Sequence, residues 1–473
     1  MIMVFSSLVF ICIFLPVVLI LHTAIPNRKV QNGLLLAASL LFYAYGEPVY
    51  VFLMLSSALL NYCFALLIHR NRRKMWLVLA VIVNLGLLGV FKYTGFLLSN
   101  LNTFLGLSLP VPQIALPIGI SFFTFQALSY VIDVYRDDVA VQRNYGKLLL
   151  YISFFPQLIA GPIVRYKDIV LQIDDRSATP RQIAFGLRRF IVGLGKKVLI
   201  ANAMGAAADY MFNHGAANLN MVGAWIGAVA YLMQIYYDFS AYSDMAIGLG
   251  KMFGFHFKEN FNHPYIADTV QNFWRRWHIS LSSFFRDYVY IPLGGNRKGK
   301  FRTVLNRIIV FFLTGLWHGA NWTFIAWGLF HGFFLLLEEF IPLIKKLPKV
   351  VRHIYTLLTV TLGFVLFRAD TIGEALIFIG KMFSGTDFSP AAMAFTIQAV
   401  TPYFIFMLLM AIFCCGPFDK LAEQVRQLET KDVLTQRETL VQSISFVLCC
   451  LLLVWCIIRL AGGSYNPFIY FRF

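Results

Sequence analysis

The sequence predicts an all-α polytopic membrane protein, and three observations carry that prediction. Hydrophobic residues make up 59% of the chain and charged residues only 13%, with a mean hydropathy of +0.69, far from the soluble average. Apolar segments recur along all 473 residues, near 4–21, 32–45, 49–68, 75–91, 113–134, 146–164, 222–237, 304–317, 321–341, 354–367, 395–415 and 441–459. The basic residues behind the formal charge of +17 cluster in short loops between those segments. That is the positive-inside pattern, which also suits an anionic inner leaflet, and no nucleic-acid module is visible.

Taken in order, the first run, Val4 to Ile20, lacks a basic leader and a small-residue cleavage site, so it reads as a spanning helix. Arg28-Lys29 and the cluster Arg70, Arg72, Arg73, Lys74 should both be cytoplasmic. Two segments joined at Gly46-Glu47-Pro48 separate them, so the assignments agree and the N-terminus is outside. The basic loop at Arg136–Lys147 then falls inside again. Between Arg165 and Lys197 basic residues flank weakly apolar stretches, and Gly161-Pro162 interrupts one. Irregular backbone is tolerated at membrane depth only against protein or a wet cavity, so re-entrant or interfacial helices around a concave interior are expected here. No internal repeat is evident, which weighs against inverted-repeat transporters. The polar stretch Asp419–Gln442 reads as a cytoplasmic amphipathic connector before the last helix. One membrane domain is expected, with N-terminal helices in 1–110, a core in 111–345, and C-terminal helices in 346–473 ending in an external tail from 462. The seven cysteines lie in or beside apolar runs without metal-ligand spacing and read as small apolar fillers; no metal is expected.

Four constellations carry chemistry. The run L-W-H-G-A-N-W puts His318 inside an apolar stretch, between the basic loop ending at Arg307 and the one beginning at Lys345. Helix from Arg307 to His318 would rise roughly 16 Å, about half a hydrocarbon core. An imidazole at that depth is costly and suits proton transfer near neutral pH. His331 follows thirteen residues on. Gln126, Tyr130 and Asp133 share one helical face, either as a functional lining or as an interhelical hydrogen-bond seam. In Y-Y-D-F-S-A-Y-S-D-M, Asp238 and Asp244 either line a polar cavity or anchor a helix end. In N-F-W-R-R-W-H-I-S-L-S-S-F-F-R-D-Y-V-Y-I-P-L-G-G-N-R-K-G-K, aromatics alternate with Arg275, Arg276, His278 and Arg286. That segment reads as an amphipathic interfacial helix, either a surface anchor or a cytoplasmic mouth whose cations receive phosphates. Arg297, Lys298, Lys300 and Arg302 would suit a pantetheine carrier, either coenzyme A or an acyl carrier protein.

Together, Y-D-F-S-A-Y-S-D-M, F-W-R-R-W-H-I-S-L-S-S-F-F-R-D-Y-V-Y-I-P-L-G-G-N-R and G-L-W-H-G-A-N-W strongly resemble the membrane-bound O-acyltransferase (MBOAT) superfamily, in its bacterial alginate O-acetyltransferase branch. L-P-I-G-I-S-F-F-T-F-Q and F-F-P-Q-L-I-A-G-P-I-V-R extend the match over most of the chain. The resemblance implies about eleven transmembrane helices around a thinned, tunnel-containing centre in the bacterial cytoplasmic membrane. It implies a cytoplasmic thioester donor, acetyl-CoA, no permanently bound cofactor, and an external SGNH-type partner that completes transfer to an envelope polysaccharide. By motif match His318 is the catalytic histidine and His278 the second, more cytoplasmic one. From the constellations themselves, Arg275, Arg276, Trp277, Arg286, Asp287, Arg297, Asp238, Asp244 and Gln126 are the candidates for donor or substrate binding. His318 would act as general base on a hydroxyl attacking the thioester. Outside the resemblance, Asn321 is a candidate donor to the oxyanion. The tail N-P-F-I-Y-F-R-F resembles a C-terminal motif of extracytoplasmic acylation systems, in which Tyr470 matches an acyl-carrying tyrosine; its other reading is an aromatic interfacial tail. D-alanyl transfer to teichoic acid, a proton-coupled transporter and an inactive scaffold are the competing readings.

Overall fold

A computed structural model of the chain describes residues 3–71, 74–159, 161–213, 219–416, 428, 431, 435–463 and 465–469. Among these, every regular element is helical. Six helices are long and apolar enough to cross a membrane, or seven if a pair bent by 62° over Pro390–Cys414 counts as one. The chain divides into two compact units, one of residues 1–190 and 245–258, the other of 191–244 and 259–473.

In the first unit, α1 (Leu15–Ala24), α2 (Arg28–Gly46), α3 (Tyr50–Asn71), α4 (Lys74–Leu88) and α5 (Thr94–Leu105) are followed by α6 (Ile120–Tyr135). α4 and α5 run on through a π-helical turn at Gly89–Tyr93, giving a span of 32 residues. Asn27 caps α2 through Lys29 and Val30. Asn61 and Asn84 exchange amide hydrogen bonds of 3.0 and 2.8 Å between α3 and α4, the pairing that buried amides need where no water can serve them. Phe10, Phe14, Phe42 and Phe155 stack into one aromatic core. α7 (Tyr145–Ser153), α8 (Phe155–Leu158) and α9 (Tyr166–Asp174) are short. Of the irregular stretch expected over Arg165–Lys197, the part up to Ser177 is short helix and loop, whereas from Pro180 the chain is a continuous apolar helix reaching Asn213, one of the six long enough to cross.

The unit boundary falls within α10 (Pro180–Gly195) and again within α12 (Met221–Met252). Between these, a π-helical segment at Lys196–Ala201 leads into α11 (Asn202–Asn213). The second unit continues with α13 (Val270–Arg276), α14 (Ile279–Phe285), α15 (Gly299–His318), α16 (Trp322–Phe340), the short α17 (Leu343–Lys346), α18 (Lys349–Arg368), α19 (Ile372–Ser384), α20 (Pro390–Ala399), α21 (Pro402–Cys414) and α22 (Gln436–Ala461). Thr435 and Glu438 close a capping box that starts α22. Of the connector expected at Asp419–Gln442, residues 419–427, 429–430 and 432–434 lie outside the described set.

α15 and α16 form the antiparallel hairpin on which the site is built. A Cβ on Gly315 would stand 2.3 Å from the Phe324 carbonyl oxygen, and one on Gly328 would stand 2.3 Å from that of Phe311. Only glycine permits that approach. Arg307 pairs with Glu339 near the opposite end, so the two basic loops flanking the hairpin share one end of it. The apolar stretch around His318 is therefore two helices meeting at a turn, with His318 ending the first.

Candidate active site

His278 occupies the break between α13 and α14. The segment expected as one amphipathic helix is two helices, because His278 takes a left-handed conformation (φ 43°, ψ 55°). A non-glycine residue held there costs of order 1–3 kcal/mol, so the surroundings must enforce it. The enforcement is visible around Asn260. Its main-chain oxygen accepts from Ile279 N–H at 2.9 Å. Its side-chain oxygen accepts from Ser280 N–H at 3.1 Å and from Ser280 Oγ–H at 2.8 Å, and lies 3.3 Å from His278 Nδ1. Asn260 in turn donates to Ser243 Oγ at 3.1 Å. With Nδ1–H facing Asn260, Nε2 carries the free lone pair of a neutral imidazole. That nitrogen is buried and has no hydrogen-bond partner among the described residues. The aromatics of this segment face protein: Trp274, Trp277, Phe284 and Phe285 are all buried.

His318 is the last residue of α15, followed by Gly319 in extended conformation. Its ring packs edge-on against Trp327 at 5.0 Å and Phe367 at 5.2 Å, and against Trp317 at 4.9 Å. The Trp317 indole also lies 6.0 Å from His278, so one indole packs against both imidazoles. A cavity of about 10 Å³, lined by Phe239, Trp277, His318, Trp327, Phe367 and Ile469 among others, has room for about one water. Asn321 starts α16, its side-chain oxygen accepting from Thr323 N–H at 3.1 Å and its amide donating to the Asp370 carbonyl at 3.0 Å. The second amide N–H is the one an oxyanion role would use.

A larger cavity of about 300 Å³ is lined by Arg275, Arg286 and Arg307 with Trp274, Tyr290 and Phe311. Arg286 grips Asp287 at 2.6 and 3.2 Å, and that hydrogen bond raises the guanidinium above its ordinary range against the opposing effect of burial. Arg276 is held away in hydrogen bonds to Asn272 and the Asn262 carbonyl. Arg297 is exposed in the turn through Gly294 and Gly295 and is not in the wall of this cavity. Trp274 walls the arginine cavity and meets Trp327 at 5.7 Å, and Trp327 meets His318. Two indoles thus partition the cationic cavity from the histidine cavity. His331 packs in the same stack, 5.3 Å from Trp274 and 5.2 Å from Trp327, with neither ring nitrogen hydrogen-bonded among the described residues.

The other sequence candidates separate. Asp238 forms a buried pair with Lys197 at 2.7 Å, whereas Asp244 pairs with Lys196 at 2.7 Å in a more open position. Gln126 belongs to the first unit, buried beside Tyr130 and Asp133, while the histidines stand wholly in the second. Tyr470 lies outside the described residues. Arg307, Lys197 and Asn260 were missed by sequence reasoning. Only the two adjacent lysines in the apolar run after Gly195 signalled that buried acids would have partners.

The profile of the MBOAT, membrane-bound O-acyltransferase family matches residues 119–368, more than half of the chain. The chain belongs to the membrane-bound O-acyltransferase family. It is 41% identical to a probable alginate O-acetylase of Pseudomonas putida over the full length of both proteins. A peptidoglycan O-acetyltransferase of Helicobacter pylori is 39% identical over 79% of each chain. A teichoic acid D-alanyltransferase of Streptococcus thermophilus is 30% identical over 47% of this chain and 56% of its own. This membrane-bound O-acyltransferase is therefore an acyl-transferring enzyme, with the two histidines and the whole arginine-lined cavity inside the matched region.

Proposed function

We propose that this chain takes an acetyl group from cytoplasmic acetyl-CoA and passes it across the bacterial inner membrane for O-acetylation of an envelope polysaccharide. What carries the reading is one juxtaposition: His318 lines a small cavity while an arginine-lined cavity lies across Trp274 and Trp327. Arginines suit the phosphates of a coenzyme A or a phosphopantetheine carrier. His318 accepts the proton of an attacking hydroxyl; the oxygen bonds to the thioester carbonyl, the C–S bond breaks, and the thiolate takes the proton. Asn321 supplies an N–H to the oxyanion, and His278 Nε2 holds a polar group of the donor.

Tyr470 is the proposed first acceptor, giving a tyrosyl ester that an external SGNH-type partner moves to the glycan. What supports this is the sequence motif together with its neighbour Ile469, which walls the His318 cavity. The proposed setting is about eleven spans around a central tunnel, with the N-terminus outside. The alginate and peptidoglycan relatives, matched over far more of the chain than the D-alanyl relative, favour acetyl over D-alanyl.

The deciding experiment reconstitutes wild type, His318→Ala and Tyr470→Phe in proteoliposomes with radiolabelled acetyl-CoA. Label on wild-type protein and on neither variant is the expected result. Label retained by Tyr470→Phe would remove the relay and keep the enzyme. No thioester cleavage by wild type with coenzyme A or carrier-protein donors would overturn the reading.

A further inference from the structure

The segment 465–469 is tied into the second unit by buried charge. Asp238 on α12 and Lys197 in the π-helical segment have side chains only 1% and 4% exposed, with Nζ and Oδ1 2.7 Å apart. Each also grips the main chain of the segment. Ile469 N–H donates to Asp238 Oδ2 at 2.8 Å, and Lys197 Nζ donates to the Pro467 carbonyl. Upstream, the Tyr465 hydroxyl donates to Asp209, itself held by Arg368 at 2.7 Å. Asn202 donates to the Asn466 side-chain oxygen at 3.2 Å. Phe468 consequently packs on Tyr242 at 4.9 Å, and Ile469 enters the wall of the His318 cavity.

Taking two charges out of water is costly, and a buried pair repays that only when its remaining donors and acceptors are satisfied too. Here the terminal segment gives each pole a peptide partner, Ile469 N–H for Asp238 Oδ2 and the Pro467 carbonyl for Lys197 Nζ, so pair and segment form one unit. The poles match as well, since the ammonium meets a carbonyl and the carboxylate meets an N–H. A pair serving only to join α12 to the π segment would need neither contact.

The geometry points to Lys197 and Asp238 as positioning residues that clamp residues 465–469 as the seal of the His318 cavity, excluding water from the thioester. This role rests on the acyl transfer proposed for His318. With the clamp open, water replaces the acceptor: its oxygen bonds to the thioester carbonyl, the C–S bond breaks, one of its protons passes to the departing thiolate and the other to solvent, and acetate and free thiol result. Loosening the clamp therefore uncouples donor cleavage from transfer.

The test is the charge swap Lys197→Asp/Asp238→Lys, which keeps an ion pair but sets each pole against the wrong peptide group. In nanodiscs, amide hydrogen exchange at Ile469 should be slow in wild type and about a hundredfold faster in the swap, the scale of a lost bond to a charged group. Labelled acetyl-CoA should show transfer reduced roughly tenfold or more, with the ratio of free acetate to transferred acetyl increased. In a chain ending at Gly463, which lacks both the segment and the proposed acceptor, the swap should leave the rate of acetate release from acetyl-CoA unchanged. Lys197→Met/Asp238→Leu replaces the pair with apolar groups, which buried pairs often tolerate; it takes the place of the swap if the swapped protein does not fold, with the same loss of protection at Ile469 expected. A freely exchanging Ile469 amide in wild type overturns the clamp, as does a folded swap in which that amide stays protected. Should wild type transfer no acetyl, the proposed chemistry fails, while the exchange data still decide the clamp.

Discussion

At His278 the chain accepts a left-handed backbone so that one imidazole nitrogen meets Asn260 and the other is left bare. Asn260→Ala should release that conformation and cost activity more than stability, read as a fall in kcat against a melting midpoint shifted by a few degrees. Asn321 separates two roles at one position. Asn321→Ser keeps the N-cap, so stability should change by less than about 1 kcal/mol, whereas loss of an oxyanion donor should reduce kcat by about a hundredfold. Unchanged kcat in Asn321→Ser would leave the residue a cap alone. At the larger cavity, Arg275→Gln and Arg286→Gln should each raise KM for acetyl-CoA by roughly tenfold, more so at low salt, since each removes a charge-assisted contact to phosphate. A KM insensitive to both substitutions would move the donor elsewhere.

The elements that decide the site are a hairpin and a broken helix. Periodicity alone makes 304–317 and 321–341 apolar helices, and both are present. Their antiparallel contact depends on Gly315 and Gly328, whose missing side chains let each backbone approach the facing carbonyl. Gly315→Ala or Gly328→Ala should cost about 1–3 kcal/mol, as overpacking does, and displace His318 enough to reduce transfer. Gly380 in α19 is the control, because a Cβ there meets nothing within 4 Å. Gly380→Ala should raise the thermal midpoint, by the helix preference of alanine over glycine of about 1 kcal/mol. Equal losses at Gly380 and Gly328 would mean that the hairpin contact is not what matters. The run from Val270 to Tyr290 shows the opposite case. Its alternation of aromatic and basic residues fits one surface helix, but the Asn260 contacts break it at His278 and its aromatics become core.

For the molecule in its membrane, the basic loops predict an orientation that labelling can check. With cysteines otherwise removed, Leu107→Cys should react with an impermeant thiol reagent in intact cells and Asp138→Cys should not, following the positive-inside bias of Arg70–Lys74 and Arg136–Lys147. The reverse pattern would invert the topology. Composition and loop charge determined the class of the protein, because apolar length and basic clustering are properties of the chain taken in order. The motif around His318 was legible for a similar reason, since a titratable residue in an apolar run is conspicuous before any folding, whereas His278 was singled out only by the family resemblance of its segment. What only the tertiary structure decided is which charges meet. Lys197 and Asp238 stand 41 positions apart, Arg307 joins Arg275 and Arg286 across a helix break, and Ile469 comes to the cavity of His318 from the far end of the chain. Local sequence carries no record of such meetings, since they arise when packing and the cost of buried charge are satisfied together across elements distant in the chain.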